Sequence, residues 1–182
     1  MIPFAVNLRD RPVLVIGAGA VAAAKWTLLL AEGARVTVIA PEAYVPVPPA
    51  ALWHQRPYQR GDLKGFALVI VAVGLEAVDE AVVAEAHEQG VWVNVVDNPS
   101  KCDFFFTAVH RDGDVVISVS SSGAAPALAQ VLRDRIREAL PPNLAVVART
   151  LRAERDAVHH AGLSTEDRSW RERVRELLDE HS

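Results

Sequence analysis

The stretch Val13-Leu14-Val15-Ile16-Gly17-Ala18-Gly19-Ala20-Val21-Ala22 decides the fold. A short apolar run breaks into Gly-x-Gly-x-x-Ala and continues as an alanine- and leucine-rich helical pattern. In such a run Gly17 lets the chain turn sharply at a strand end, and Gly19 lets the backbone approach a pyrophosphate. Ala22 is small enough for the new helix to pack on the strand. The N–H groups of the first helical turn then face the phosphates, aided by the helix dipole. A glycine pattern alone also fits a tight turn in some other α/β protein. Its context selects the dinucleotide-binding reading: a strand before it, a helix after it, and Arg35-Val36-Thr37-Val38-Ile39 as a second strand.

Outward from this unit, Leu14–Ile16, Val36–Ile39, Leu68–Val73 and Val91–Val96 are nearly continuous aliphatic runs, the mark of parallel strands covered on both faces. Helical patterns lie between them. One runs from Val21 to Glu32 and stops at Gly33. Another runs from Glu76 to Gln89 and stops at Gly90, with Ala77, Val78, Ala81, Val82 and Ala86 on one stripe. Strand alternating with helix predicts an α/β fold, a Rossmann-like doubly wound parallel sheet. The prolines of Pro41–Pro57 forbid a regular helix there, so that segment reads as a loop with a short edge strand around Trp53–Tyr58.

After Pro99 the pattern changes. Phe104–Val109 and Asp114–Val119 read as a hairpin turning at Arg111-Asp112-Gly113. A helix follows from Pro126, with Leu128, Val131, Leu132, Ile136, Ala139 and Leu140 on its stripe, and Pro141-Pro142 stops it. The remainder reads as helical. The expected organisation is a cofactor domain over residues 1–112, a strand-plus-helix dimerisation segment over 113–142 and a helical region over 143–182. A hairpin with a few helices buries too little to fold alone, so it is expected to pack on the sheet or, as we favour, on a second copy, making a homodimer.

Composition narrows the function classes. The 182 residues are 51% hydrophobic with a net charge of −4, which gives no bias toward nucleic acid or a membrane surface. The apolar runs are too short to span a bilayer, the N-terminus carries no secretory pattern, and the single cysteine, Cys102, fits a reducing cytoplasm. The histidines show no HExxH or CxxC-type spacing, so no metal site is expected. Nucleophile elbows and Gly-Lys-Ser/Thr phosphate loops are absent too, which removes acyl transfer and ATP hydrolysis.

Several polar positions fall where ligands bind. Glu42 follows the second strand, where a carboxylate holds ribose hydroxyls; it also reads as an ordinary solvated loop charge. No arginine follows that strand, so NAD is preferred over NADP. Asp97, in Asn94-Val95-Val96-Asp97-Asn98-Pro99, lies at the carboxyl end of the fourth long strand. A carboxylate there can take a proton while a hydride leaves, although Asp-Asn-Pro is also common turn chemistry. Ser120, Ser121, Ser122 and Gly123 before the Pro126 helix are either a helix cap or an anion seat.

Taken together, these segments resemble a known family. Asn7-Leu8-Arg9-Asp10, Gly17-x-Gly19-x-Val21-Ala22 with Lys25, Gly33-Ala34-x-Val36-Thr37-Val38, Asn94-Val95-Val96-Asp97 with Cys102 and Phe104, and Ser120-Ser121…Pro126-x-Leu128-Ala129 occur in the order seen in precorrin-2 dehydrogenase, the dehydrogenase and ferrochelatase module of siroheme synthases. The resemblance covers roughly residues 1 to 150. It implies NAD-dependent oxidation of precorrin-2 to sirohydrochlorin, with iron or cobalt insertion in some members, by a homodimer. It further implies a catalytic role for Asp97, cofactor contacts at Gly17, Gly19, Ala20, Val21, Pro41, Glu42 and Val73, and tetrapyrrole binding by Ser120–Gly123. Two departures stand out: Ala72-Val73-Gly74-Leu75 replaces the Ala-Thr-Asp or Ala-Thr-Asn of relatives, and residue 24 is alanine where arginine is common. From another class, an NAD(H)-binding redox sensor without catalysis would leave Asp97 dispensable. A short-chain oxidoreductase would need a Tyr-x-x-x-Lys pair, which neither Tyr44 nor Tyr58 provides.

Overall fold

The computed structural model describes residues 2–166 and 169–180. Five strands, β1 (Pro12–Ile16), β2 (Arg35–Ile39), β3 (Leu52–His54), β4 (Leu68–Val71) and β5 (Trp92–Val95), form one all-parallel sheet in the order β3-β2-β1-β4-β5. Val13, Leu14, Val15, Val69, Ile70 and Val93 are fully buried, as aliphatic strands covered on both faces must be. Helix α1 (Ala20–Ala31) links β1 to β2 and helix α2 (Glu76–Gln89) links β4 to β5. The two crossovers run in opposite directions from the centre of the sheet. Right-handed connection therefore puts the helices on opposite faces, which is the doubly wound arrangement.

Helix α1 lays Ala22, Trp26 and Leu29 against the sheet. Helix α2 ends where the sequence predicts, at Gly90 in the left-handed conformation, with Val91 N–H returning to the Ala86 carbonyl. Its buried stripe differs from expectation. Asp79, Val82, Glu85 and Ala86 are buried, whereas Ala77 and Ala81 face solvent. Glu85 is tolerated inside because its carboxylate accepts hydrogen bonds from the Tyr58 hydroxyl, the Gly61 and Leu63 amides and the Gln89 side chain. These bonds dock the 55–67 loop, itself braced by a bidentate Arg56–Asp62 pair, onto α2. The edge strand β3 is accordingly shorter than Trp53–Tyr58, because the chain leaves the sheet after His54 to make this loop.

By their internal contacts the residues divide into two units, Met1–Phe105 and Phe106–Ser182. This boundary falls ahead of the expected one at 112/113, because β6 (Ala108–Asp112) pairs antiparallel with β7 (Val115–Val119) and stays with its partner. The hairpin is also one step tighter than Arg111-Asp112-Gly113 suggests. Asp112 lies opposite Val115, which leaves Gly113-Asp114 as the loop, with Gly113 at φ +57°. Phe104 belongs to the first unit and not to β6. The second unit continues with helices α3 (Pro126–Ala139), α4 (Leu144–His160) and α5 (Trp170–Glu180). On α3 only Ala129 is buried; Leu128, Val131, Leu132 and Ile136 of the predicted stripe are exposed.

Candidate functional site

The site is built on the carboxyl ends of β1 and β4, the point where the strand order reverses and a crevice opens in sheets of this kind. Gly17 leaves β1 at φ +109°, and its N–H donates to the Ile39 carbonyl at 2.9 Å. A Cβ on it would lie 2.5 Å from the Ala72 carbonyl oxygen, so no other residue fits. Gly19 is different in kind. Its backbone is extended (φ −92°, ψ −176°), a conformation open to any residue, and a Cβ would meet nothing within 4 Å. Gly19 is the N-cap of α1 with no side-chain cap, and by helix geometry the N–H groups of Ala20, Val21 and Ala22 have no acceptor within the helix. Unfilled space above uncapped donors is what a pyrophosphate requires, so these residues fit a dinucleotide.

Two further segments frame this turn. The Tyr44 and Val45 amides both donate to the Ala18 carbonyl, at 3.0 and 3.3 Å, and the Trp53 indole N–H holds the Ala40 carbonyl at 3.0 Å. Pro41 and Glu42 are thereby held, exposed, beside the glycine turn. On the β4 side Val73 closes the wall, its Cγ1 3.3 Å from where a Gly17 Cβ would stand. Leu75 then caps α2 without a side-chain hydrogen bond and remains exposed. The crevice is apolar here, as the departure Ala72-Val73-Gly74-Leu75 leads one to expect.

Asp97 stands at the same rim. The ladder continues past β5 through the Val96 amide to the Val71 carbonyl, and the chain then reverses in a turn closed by the Asn98 amide on the Val95 carbonyl. Asp97 is the third residue of that turn, exposed and left-handed at φ +61°, a conformation aspartate tolerates better than most side chains. Lys25, half-buried on α1, connects it electrostatically to the glycine helix. Burial pushes the Lys25 ammonium below its ordinary pKa, and the Asp97 carboxylate opposes that shift. The sequence offered no sign of this coupling beyond the place of Lys25 one turn after Ala22.

The free edge of β5 is covered by Cys102–Phe104, a second feature hidden from sequence reading. Asp103 exchanges backbone and side-chain bonds with Val93, the buried Asn94 amide holds the Phe104 carbonyl at 2.8 Å, and the Cys102 sulfur meets Asn94, Val95 and Asn98. Lys101 ties the same segment to α2 through Glu76. In the second unit, Ser120 and Ser121 hydroxyls accept from the Ser122 and Ala125 amides at 3.1 and 3.0 Å, so this turn is at least self-capping. The glycine turn, Ala20, Val21, Pro41, Glu42, Val73 and Asp97 thus share one rim in the first unit, while Ser120–Gly123 belong to the second. Among the described residues no group of three or more histidines, cysteines or acids is arranged to hold a metal, and no helix is long and apolar enough to cross a membrane.

Residues 4–108 match the family model described as "Putative NAD(P)-binding". The chain belongs to that family. Residues 112–139 match a second model, the central segment of sirohaem biosynthesis proteins. The chain is 39% identical to the siroheme synthase of Methylococcus capsulatus, over 88% of this chain and 35% of that protein. It is 40% identical to the siroheme synthase of Neisseria meningitidis serogroup B, over 86% of this chain and 33% of that protein. It therefore spans about a third of the length of the curated relatives it matches. A solved structure of SirC, precorrin-2 dehydrogenase, superposes with a TM-score of 0.76 at 24% identity, over 99% of this chain and 88% of that one, which shows that the fold is shared.

Proposed function

We propose that the protein oxidises precorrin-2 to sirohydrochlorin with NAD⁺ as hydride acceptor. The observation that carries this reading is the meeting of Asp97 and the Gly17–Gly19 turn on one rim, with the Asp97 charge acting on Lys25 of the glycine helix. The siroheme synthase relatives and the sirohaem central segment support the tetrapyrrole as substrate. Bound NAD⁺ supplies the two-electron acceptor. The chain's own part begins with Gly19 and the first turn of α1, which receive the pyrophosphate. Glu42 offers its carboxylate to ribose hydroxyls, the basis for preferring NAD to NADP. The substrate loses a hydride and a proton, and Asp97, exposed at the end of the sheet, accepts the proton directly or through water. Ser120, Ser121, Ser122 and Gly123 are assigned to substrate carboxylates. We further read the protein as a cytoplasmic homodimer. The exposed α3 stripe supports the dimer, and a single cysteine fits the compartment.

Anaerobic incubation with precorrin-2 and NAD⁺ tests the assignment, following sirohydrochlorin absorbance. The expected outcome is turnover by the wild-type protein and a rate about two orders of magnitude lower for Asp97→Ala, the range for losing a positioned proton acceptor. No product from the wild-type protein overturns the function. Equal rates from the two proteins remove Asp97 from the mechanism.

A further inference from the structure

The thiol of Cys102 is unusually well connected. Its Sγ lies 3.3 Å from the Val95 amide nitrogen, 3.2 Å from the Val95 carbonyl, 3.3 Å from the Asn98 carbonyl and 3.5 Å from the Asn94 side-chain nitrogen. Val95 and Asn98 are the first and last residues of the turn that presents Asp97, and a 3.3 Å bond from the Asn98 amide to the Val95 carbonyl closes it. One atom therefore touches both ends of the turn. Accepting from two donors while directing its own proton to one of two carbonyls uses the full capacity of a thiol.

We propose that Cys102 is the positioning residue for Asp97, its sulfur clamping the Val95–Asn98 turn so that the carboxylate projects from a fixed left-handed backbone. This rests on the catalytic role proposed above for Asp97. The clamp has physical work to perform, because the left-handed backbone of Asp97, although aspartate tolerates it better than most side chains, is only one of the conformations open to an exposed turn residue. The choice of sulfur follows from reach. Four partners at 3.2–3.5 Å suit a large, soft atom, whereas a hydroxyl bonds best at about 2.8 Å and cannot satisfy all of them without moving the turn. Burial also pushes the thiol above its ordinary pKa, which preserves the proton it donates. The Cys102 sulfur does not need to meet substrate or cofactor for any of this.

The test combines two readouts on the full chain. Amide hydrogen exchange of Asn98 in Cys102→Val is expected to be about tenfold faster than in the wild type, the scale of one lost hydrogen bond, with the Val69 and Ile70 amides of β4 unchanged. Unchanged Asn98 protection overturns the clamp whether or not the protein turns over precorrin-2. In the kinetic arm, Cys102→Val is expected to lower kcat about tenfold or more with KM for NAD⁺ unchanged, and Cys102→Ser to fall between it and the wild type. In an Asp97→Asn background, Cys102→Val is expected to cost nothing further, because the group it positions is already gone. A full additional loss there means Cys102 acts on general structure and overturns the proposal. Loss of activity in Cys102→Val beside a fully active Asp97→Asn instead overturns the role of Asp97.

Discussion

At the scale of single residues, the two glycines of the fingerprint separate folding from binding. Gly17 is required by the fold, since any side chain would collide with the Ala72 carbonyl at a φ that L-residues avoid. Gly17→Ala is therefore expected to cost roughly 2–4 kcal/mol of stability, within the range for strained backbone substitutions, measured by urea unfolding. Gly19 has open space around it and an ordinary extended backbone. Gly19→Ala is expected to leave stability within about 0.5 kcal/mol of the wild type while weakening NAD⁺ binding at least tenfold by titration calorimetry, because the methyl occupies the approach of the pyrophosphate. Equal affinity in Gly19→Ala would remove the cofactor from this turn. The sequence made both glycines and their division of labour legible, but not what enforces it at Gly17. That is the Ala72 carbonyl across the turn, and Ala72 stands more than fifty residues away in the chain. Asp97 was legible as a strand-end acid. Its dependence on Cys102 was not, because a lone cysteine in sequence carries no indication of its hydrogen bonds.

At the scale of elements, the strands and the limits of α2 follow from apolar runs and glycine stops, yet the buried face of α2 follows only in part. Hydrophobic periodicity assigns that face to Ala77, Val78, Ala81, Val82 and Ala86, of which Val82 and Ala86 are buried. The structure brings Glu85 onto it because the connection after β3 folds back as a loop and supplies donors in place of a crossover helix. No residue pattern in α2 itself announces those donors. Their consequence is a pH dependence. Burial alone would raise the pKa of Glu85, but hydrogen bonds from Tyr58, Gly61 and Leu63 outweigh it and hold the carboxyl below its ordinary value. A carboxyl with a depressed folded pKa contributes stability above its unfolded value and loses it as pH falls through the folded one. Glu85→Gln is accordingly expected to be destabilised by about 1–3 kcal/mol at pH 7, where its amide faces donors with another donor. The gap should narrow steadily through the acid range below pH 4.5 as the wild-type carboxyl protonates. Chemical denaturation of both proteins across that range checks it, and a gap independent of pH would assign the loss to shape and not to charge.

At the scale of the whole molecule, the decisive feature is what α3 leaves uncovered. Leu128, Val131, Leu132 and Ile136 fall at helical spacing on one side, and all four are exposed, while the adjoining flank buries Ala129 and uses Arg133 to reach the Val109 carbonyl. The sequence reveals the stripe because helical periodicity is local; it cannot say whether the stripe faces its own chain or another, since both bury the same residues. A second copy is the occupant we propose for these four side chains, as a contiguous exposed apolar face marks an interface. Replacing Val131 and Ile136 together by glutamate puts two charges where an interface core excludes them. The expected result is a fall from dimer to monomer mass in sedimentation equilibrium, with NAD⁺ affinity retained because the glycine turn lies in the other unit. A wild-type protein that is already monomeric at tens of micromolar would refute the assignment. So would a double variant that stays dimeric, since the charges would then lie outside whatever surface holds the copies together.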